Sequence, residues 1–166
     1  FKYLKNLDDL RLYSNRIVEI HSKAFDKLSS LTILDLGDNR LRRINGLLLD
    51  ELFQLEDLYL NKNQIEEIDS NAFRNCGVLR VLNISNNQLT SFEMEFTSNS
   101  FQVLNLGFNH IDRLNADRFS NMTDIRIIRF DNNELKNLDK SLFERMRSLT
   151  FVSLFNNYFE QNILSY

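Results

Sequence analysis

Groups able to move protons, hold a metal or attack a carbon are few in this chain of 166 residues, which has 2 histidines and 1 cysteine. His21 and His110 lie far apart in sequence and read as solvated turn residues. The acidic pairs Asp8-Asp9 and Glu66-Glu67 are consecutive, so their side chains diverge and cannot work as an acid/base couple. Cys76 occupies the position that reads Leu52 and Leu28, 24 and 48 residues earlier, with no activating cation or helix N-terminus evident, and reads as a small buried hydrophobe. No nucleophile elbow, phosphate-binding glycine loop, dinucleotide fingerprint or H-E-x-x-H helix is present. No catalytic residue, metal ligand or cofactor is expected.

Recognition chemistry is more evident. Val81, Val103, Ile127 and Phe151 recur at intervals of 22, 24 and 24 residues, and Arg129, Phe108 and Phe155 lie close to them in sequence. An apolar row with aromatic and arginine anchors, rimmed by polar groups, is what a protein contact uses. A second, charged group comprises Arg11, Tyr13, Asp35 and Tyr59. These seven and four residues are the candidate partner-binding sites.

The elements that position them follow from a repeat. Residues 55–65 read LEDLYLNKNQI and fit L-x-x-L-x-L-x-x-N-x-L through Leu55, Leu58, Leu60, Asn63 and Ile65. The asparagine returns as Asn15, Asn39, Asn63, Asn87, Asn109, Asn133 and Asn157, at intervals of 24, 24, 24, 22, 24 and 24. The first half of each unit alternates apolar and mostly polar residues, the period of a strand with one buried face. Stacked units place these strands side by side, about 4.8 Å apart. Their third, fifth and seventh positions are expected to face outward, which puts both candidate groups on the concave side of a solenoid.

The other half carries Ala24-Phe25, Leu48-Leu49, Ala72-Phe73, Arg118-Phe119 and Leu142-Phe143, expected to form a column along the back. These return segments read as turns or single helical turns, wider than a strand, so the sheet lies inside the curve. Short amides at the turn are expected to satisfy backbone groups of their own and the adjacent unit. The expected fold class is an α/β repeat: a curved leucine-rich-repeat solenoid with a parallel concave sheet, an irregular or short-helical convex side and about seven repeats. Residues 1–6 end a preceding repeat, and the units span 7–30, 31–54, 55–78, 79–100, 101–124, 125–148 and 149–166. The shortening of the fourth falls in 93–100. The seventh is expected to lose register after Phe159, with Asn162 where an apolar residue is due and Ile163 one step late.

The form L-x-x-L-x-L-x-x-N-x-L-x-x-I-x-x-x-A-F-x-x-L resembles the typical leucine-rich repeats of secreted and cell-surface animal proteins. These include Toll and Toll-like receptor ectodomains, insect leucine-rich immune proteins and small matrix proteoglycans. The resemblance implies a non-enzymatic, extracellular protein-recognition module in innate immunity or receptor signalling. It would bind a protein ligand or co-receptor and could pair with itself or a relative. It also implies cysteine-rich caps; this chain shows none, so an internal segment of a longer solenoid is expected. A structural matrix or adhesion solenoid and an intracellular regulatory subunit are the alternative readings. Two N-x-[S/T] triplets, Asn83-Ile84-Ser85 and Asn121-Met122-Thr123, are candidate glycosylation sites.

Bulk properties agree. A net charge of −3 argues against a protein that coats nucleic acid or an anionic membrane. No apolar stretch approaches the roughly eighteen residues that a membrane-spanning helix needs.

Overall fold

In the computed structural model, residues 1 and 3–160 are described. Seven three-residue strands form one parallel sheet: β1 (Asp9–Arg11), β2 (Ile33–Asp35), β4 (Asp57–Tyr59), β6 (Val81–Asn83), β7 (Val103–Asn105), β8 (Ile127–Arg129) and β9 (Phe151–Ser153). Each pairs with its sequence neighbour in strict repeat register, so Leu10, Leu34, Leu58, Leu82, Leu104, Ile128 and Val152 align in one row. A one-residue slip would turn this whole row out to solvent, and the apolar pattern therefore fixes the register. A second, two-stranded parallel sheet joins β3 (Arg43–Ile44) to β5 (Glu67–Ile68). Nothing in the repeat pattern announced it.

The core runs along the stack. Leu31, Leu55, Leu79, Phe101 and Ile125 are fully buried, as are Leu36, Leu60, Ile84, Leu106 and Phe130 behind the strands and Leu41, Ile65, Leu89, Ile111 and Leu135 beyond the turn. Burying each contributes about 1.5–3 kcal/mol, and only stacking provides the burial, because each unit covers the next.

The turn asparagines behave as expected. Asn87 Nδ2 donates to Ile84 O (3.0 Å) in its own turn and to Leu60 O (2.9 Å) in the preceding one, while its Oδ1 accepts from Ile65 N (2.9 Å). Asn39, Asn63, Asn109, Asn133 and Asn157 repeat the arrangement. Asn15 donates to Leu12 O and Tyr13 O of its own turn and is exposed.

Return segments are mostly turns. No α-helix occurs among the described residues. The helical part reduces to two 3-10 turns, Ala116–Phe119 and Lys140–Phe143, started by the Asn115 and Asp139 side chains. Phe25, Phe73 and Phe119 are buried, but ring contacts do not run unbroken along the back: Leu49 takes the aromatic position in the second unit, and Phe143 is only half-buried. The shortened fourth unit repairs its own loss. Its return lacks a hydrogen-bonded turn over residues 92–98, and Phe96 stacks on Phe73 (5.1 Å) while meeting Phe101 edge-on (4.8 Å). Phe92 carries the contact on to Phe119 at 5.7 Å. Two fewer residues are accommodated by a straighter chain with a larger side chain. The register expected at Asn162 and Ile163 lies outside the described residues.

Candidate binding face

The ladder brings the apolar row together. Val81 pairs with Val103, Val103 with Ile127, and Ile127 with Phe151. The first three are half-buried and Phe151 is exposed, so the row is a shallow stripe that deepens in apolar area toward β9. One position along, Arg129 is exposed and lays its guanidinium over the Phe151 ring, 5.1 Å from the centroid, a cation–π contact. Phe108 and Phe155 are both exposed beside the row.

The charged group also converges. Arg11, Asp35 and Tyr59 are aligned partners on β1, β2 and β4. Arg11 is held by a two-pronged bond to Asp9, Nε to Oδ1 at 3.0 Å and Nη2 to Oδ2 at 3.0 Å, which raises the guanidinium above its usual range. Tyr13 leans over Gly37, where an added Cβ would stand 3.0 Å from the ring. Asp57, the neighbour of Tyr59 along β4, is pushed above the ordinary carboxylate range, chiefly by burial. Tyr59 is raised by burial and then by the Asp57 and Asp35 charges. This half is therefore a partly desolvated acidic surface, with Asp9, Asp35 and Asp57 beside Arg11, and with Arg80, paired to Glu56, acting on Asp57 from the edge.

One expectation fails. The seventh position does not face freely outward: Gly37, Ser85, Gly107 and Asp131 are buried, and only Tyr13 and Phe155 are exposed there. Ser153, at the fifth position of the last strand, is buried too. Short side chains at these sites fold back onto the turn. Asn83 Oδ1 accepts both the N–H (3.1 Å) and the Oγ hydrogen (2.8 Å) of Ser85, and Asp35 and Asn105 accept from Gly37 and Gly107. Asp131 is thus misplaced by alternation along with Gly37, Ser85, Gly107 and Ser153, whereas Arg129 is exposed as expected. Gly107 one unit earlier was the available signal, because it leaves a notch for the next side chain to fill.

The groups with nominal reactivity are structural or solvated. Burial pushes the Cys76 thiol up to about 12, which keeps it protonated. His21 Nδ1 accepts from Lys23 N, and His110 meets Glu134 at 3.0 Å on the next turn. Asn121 is exposed and Asn83 half-buried. Among the described residues no group of three or more His, Cys, Asp or Glu is placed to hold a metal, and no helix is long and apolar enough to cross a membrane.

The fold is shared with solved receptors. The Toll–Spatzle complex of Drosophila matches with a TM-score of 0.84 at 24% identity over 94% of this chain. The TLR13–ssRNA13 complex matches with a TM-score of 0.79 at 26% identity over 90%. The chain spans 22% of the length of each. The leucine rich repeat family matches residues 5–65, 53–98 and 99–159. With nearly every residue inside those three matches, and the asparagine-sealed parallel stack that the family's pattern demands, the chain belongs to the leucine rich repeat family and is of the type found in Toll and Toll-like receptors.

Proposed function

We propose that this chain is a non-enzymatic recognition module of a secreted or cell-surface protein. On this reading it binds a protein ligand or co-receptor through its concave sheet, in innate immunity or receptor signalling. The observation that carries the reading is the register-locked row Val81–Val103–Ile127–Phe151, with Arg129 stacked on Phe151 and the exposed rings of Phe108 and Phe155 beside it. Burying two or three such side chains at about 1.5–3 kcal/mol each supplies the centre of a contact. The Toll neighbour is solved with Spatzle and the TLR13 neighbour with single-stranded RNA. For this chain a protein is the better fit, because Asp9, Asp35 and Asp57 on the same face repel phosphates and Arg11 is already paired with Asp9. Dimer formation through the same face is part of the proposal. So is a glycan on Asn121, whose exposed side chain lies away from the sheet; Asn83 is engaged with Ser85.

The test is Ile127→Glu with Phe151→Glu in the full-length protein, with folding checked by circular dichroism and affinity measured for the physiological partner. A loss of about tenfold or more is expected, since two buried apolar contacts are replaced by charges. Full affinity in the folded double variant would move the site to Arg11, Tyr13, Asp35 and Tyr59.

A further inference from the structure

The end of β8 holds a feature that the apolar row does not explain. Asp131 is only 3% exposed, yet its Oδ1 meets no donor from the chain among the described residues. Its Oδ2 accepts from Asn132 Nδ2 at 2.9 Å, and Asn132 Oδ1 accepts in turn from Asn156 Nδ2 at 2.7 Å. The carboxylate leans over Gly107, where an added Cβ would stand 3.2 Å from Oδ2, so a larger residue there would push it from this seat by a few tenths of an ångström. Arg129, the last residue of β8, is turned to the Phe151 ring and forms no ion pair with Asp131. A buried carboxylate oxygen without a donor is costly and rare in a native chain.

Its surroundings are equally unusual. Phe108 N donates to Asp131 O at 2.9 Å, and Asn132 N donates to Phe155 O at 2.9 Å, so the backbones of the two phenylalanines flank the Asp131–Asn132 turn on either side. Both are exposed, 51% and 63%. Phe108 also takes a left-handed backbone, φ 57°, at a position filled elsewhere by Ser14, Asp38, Lys62, Asn86, Asn132 and Asn156. Asparagine and aspartate adopt that conformation readily, whereas an aromatic residue does so at a cost. A residue with an exposed ring and a strained backbone is thus hydrogen-bonded, main chain to main chain, to the residue that carries the buried, unsatisfied carboxylate oxygen.

We infer that Asp131, bracketed by Phe108 and Phe155, is a receptor site for an arginine side chain of the protein partner. A guanidinium supplies planar N–H donors to the unsatisfied Oδ1 and a flat cation to the two exposed rings, which an ammonium or a neutral amide does not do together. The wider face favours the same partner: Asp9, Asp35 and Asp57 outnumber Arg11 and Arg129 on the aligned strands, and Asp131 follows two residues after β8. Rotation of exposed side chains, common when interfaces form, opens the carboxylate to the ligand. The inference rests on the concave face being the recognition surface and names the chemistry that this face selects.

The probe is N-acetyl-arginine-N-methylamide, titrated into the isotopically labelled full chain and followed by NMR, with its citrulline counterpart as the uncharged control. The expected result is saturable shifts centred on Asp131, Phe108 and Phe155. Affinity should fall about tenfold or more with citrulline and with Asp131→Asn, the scale of one charge-assisted hydrogen bond. Phe108→Asn, which leaves the carboxylate in place, should weaken the probe as well. Absence of saturable shifts, or unchanged affinity in an Asp131→Asn chain whose spectrum remains folded, overturns the arginine site. The Ile127→Glu/Phe151→Glu chain separates the two readings. If it loses the physiological partner while Asp131→Asn leaves the probe unaffected, the apolar row stands and the arginine site falls. If it keeps the partner while the probe still depends on Asp131, the arginine site stands and the row falls.

Discussion

Asn109 Oδ1 accepts the backbone N–H of Leu89 at 3.1 Å across only 20 residues of chain, whereas Asn87 reaches Ile65 across 22, as the other members of the column do to their own partners. The bond survives a two-residue deletion because the loss is absorbed on the far side, where the extended return around Phe96 replaces a turn. The asparagine column is thus the fixed edge of the stack, and the back adjusts to it.

Asn87→Ala should therefore lower stability by about 1–3 kcal/mol, since it strands the Ile65 N–H in a buried turn and leaves the Leu60 and Ile84 carbonyls with only the Asn63 and Asn109 amides as side-chain donors. Asn15→Ala should cost much less, because Asn15 is exposed and serves only its own turn. Urea denaturation midpoints of the two variants compare them directly. Equal shifts would mean that the bridging bonds carry no special weight.

The backbone at Phe108 gives a prediction of opposite sign. Asparagine tolerates the left-handed conformation, and Asn86 and Asn132 already occupy it one unit to either side. Phe108→Asn should raise stability by about 0.5–1 kcal/mol through relief of strain. Thermal melting with an unchanged or lower midpoint would show that the ring contributes packing that outweighs its backbone.

Much of this was legible in the residues, and for a physical reason. A leucine buried behind a three-residue strand and an asparagine sealing a turn each require a fixed place in the unit, so their spacing encodes the stack. Val81, Val103, Ile127 and Phe151 could be placed on one row because strand register follows from that spacing. Asp131 could not be placed, since alternation alone puts it outward; its burial depends on the side chain missing from Gly107 on the neighbouring strand. The pairing of Arg43–Ile44 with Glu67–Ile68 was hidden likewise, in a return segment without a period of its own.

Cys76 makes stability fall in alkali. The thiol ionises near 9.0 when free and is pushed up to about 12 by burial, so between those values the unfolded chain releases a proton that the folded chain keeps. Fewer protons on the unfolded state mean that unfolding is favoured as pH rises through that window. The contribution is constant below pH 9.0 and is lost progressively toward 12. Stability measured against pH in the parent and in Cys76→Ala should converge at high pH, as the variant lacks this slope. Parallel curves would show that the thiol does not titrate differently in the two states.

Two glycines separate close approach from mere freedom. At Gly46 an added Cβ would stand 2.9 Å from Asp69 Cγ, and that carboxylate is not free to retreat because Oδ1 accepts from Asn71 N at 2.9 Å. At Gly77 the nearest atom would be Thr97 Oγ1 at 4.0 Å, ordinary contact, and the backbone is not left-handed. Gly77→Ala should thus stabilise the fold by about 0.4–1 kcal/mol by restricting the unfolded chain. Gly46→Ala should destabilise it, since the same entropic gain is outweighed by displacing Asp69 and breaking its turn bond. Chemical denaturation of both variants side by side decides it. If Gly46→Ala gains as much as Gly77→Ala, Asp69 yields freely, and the return turn of the second unit is not held by the third.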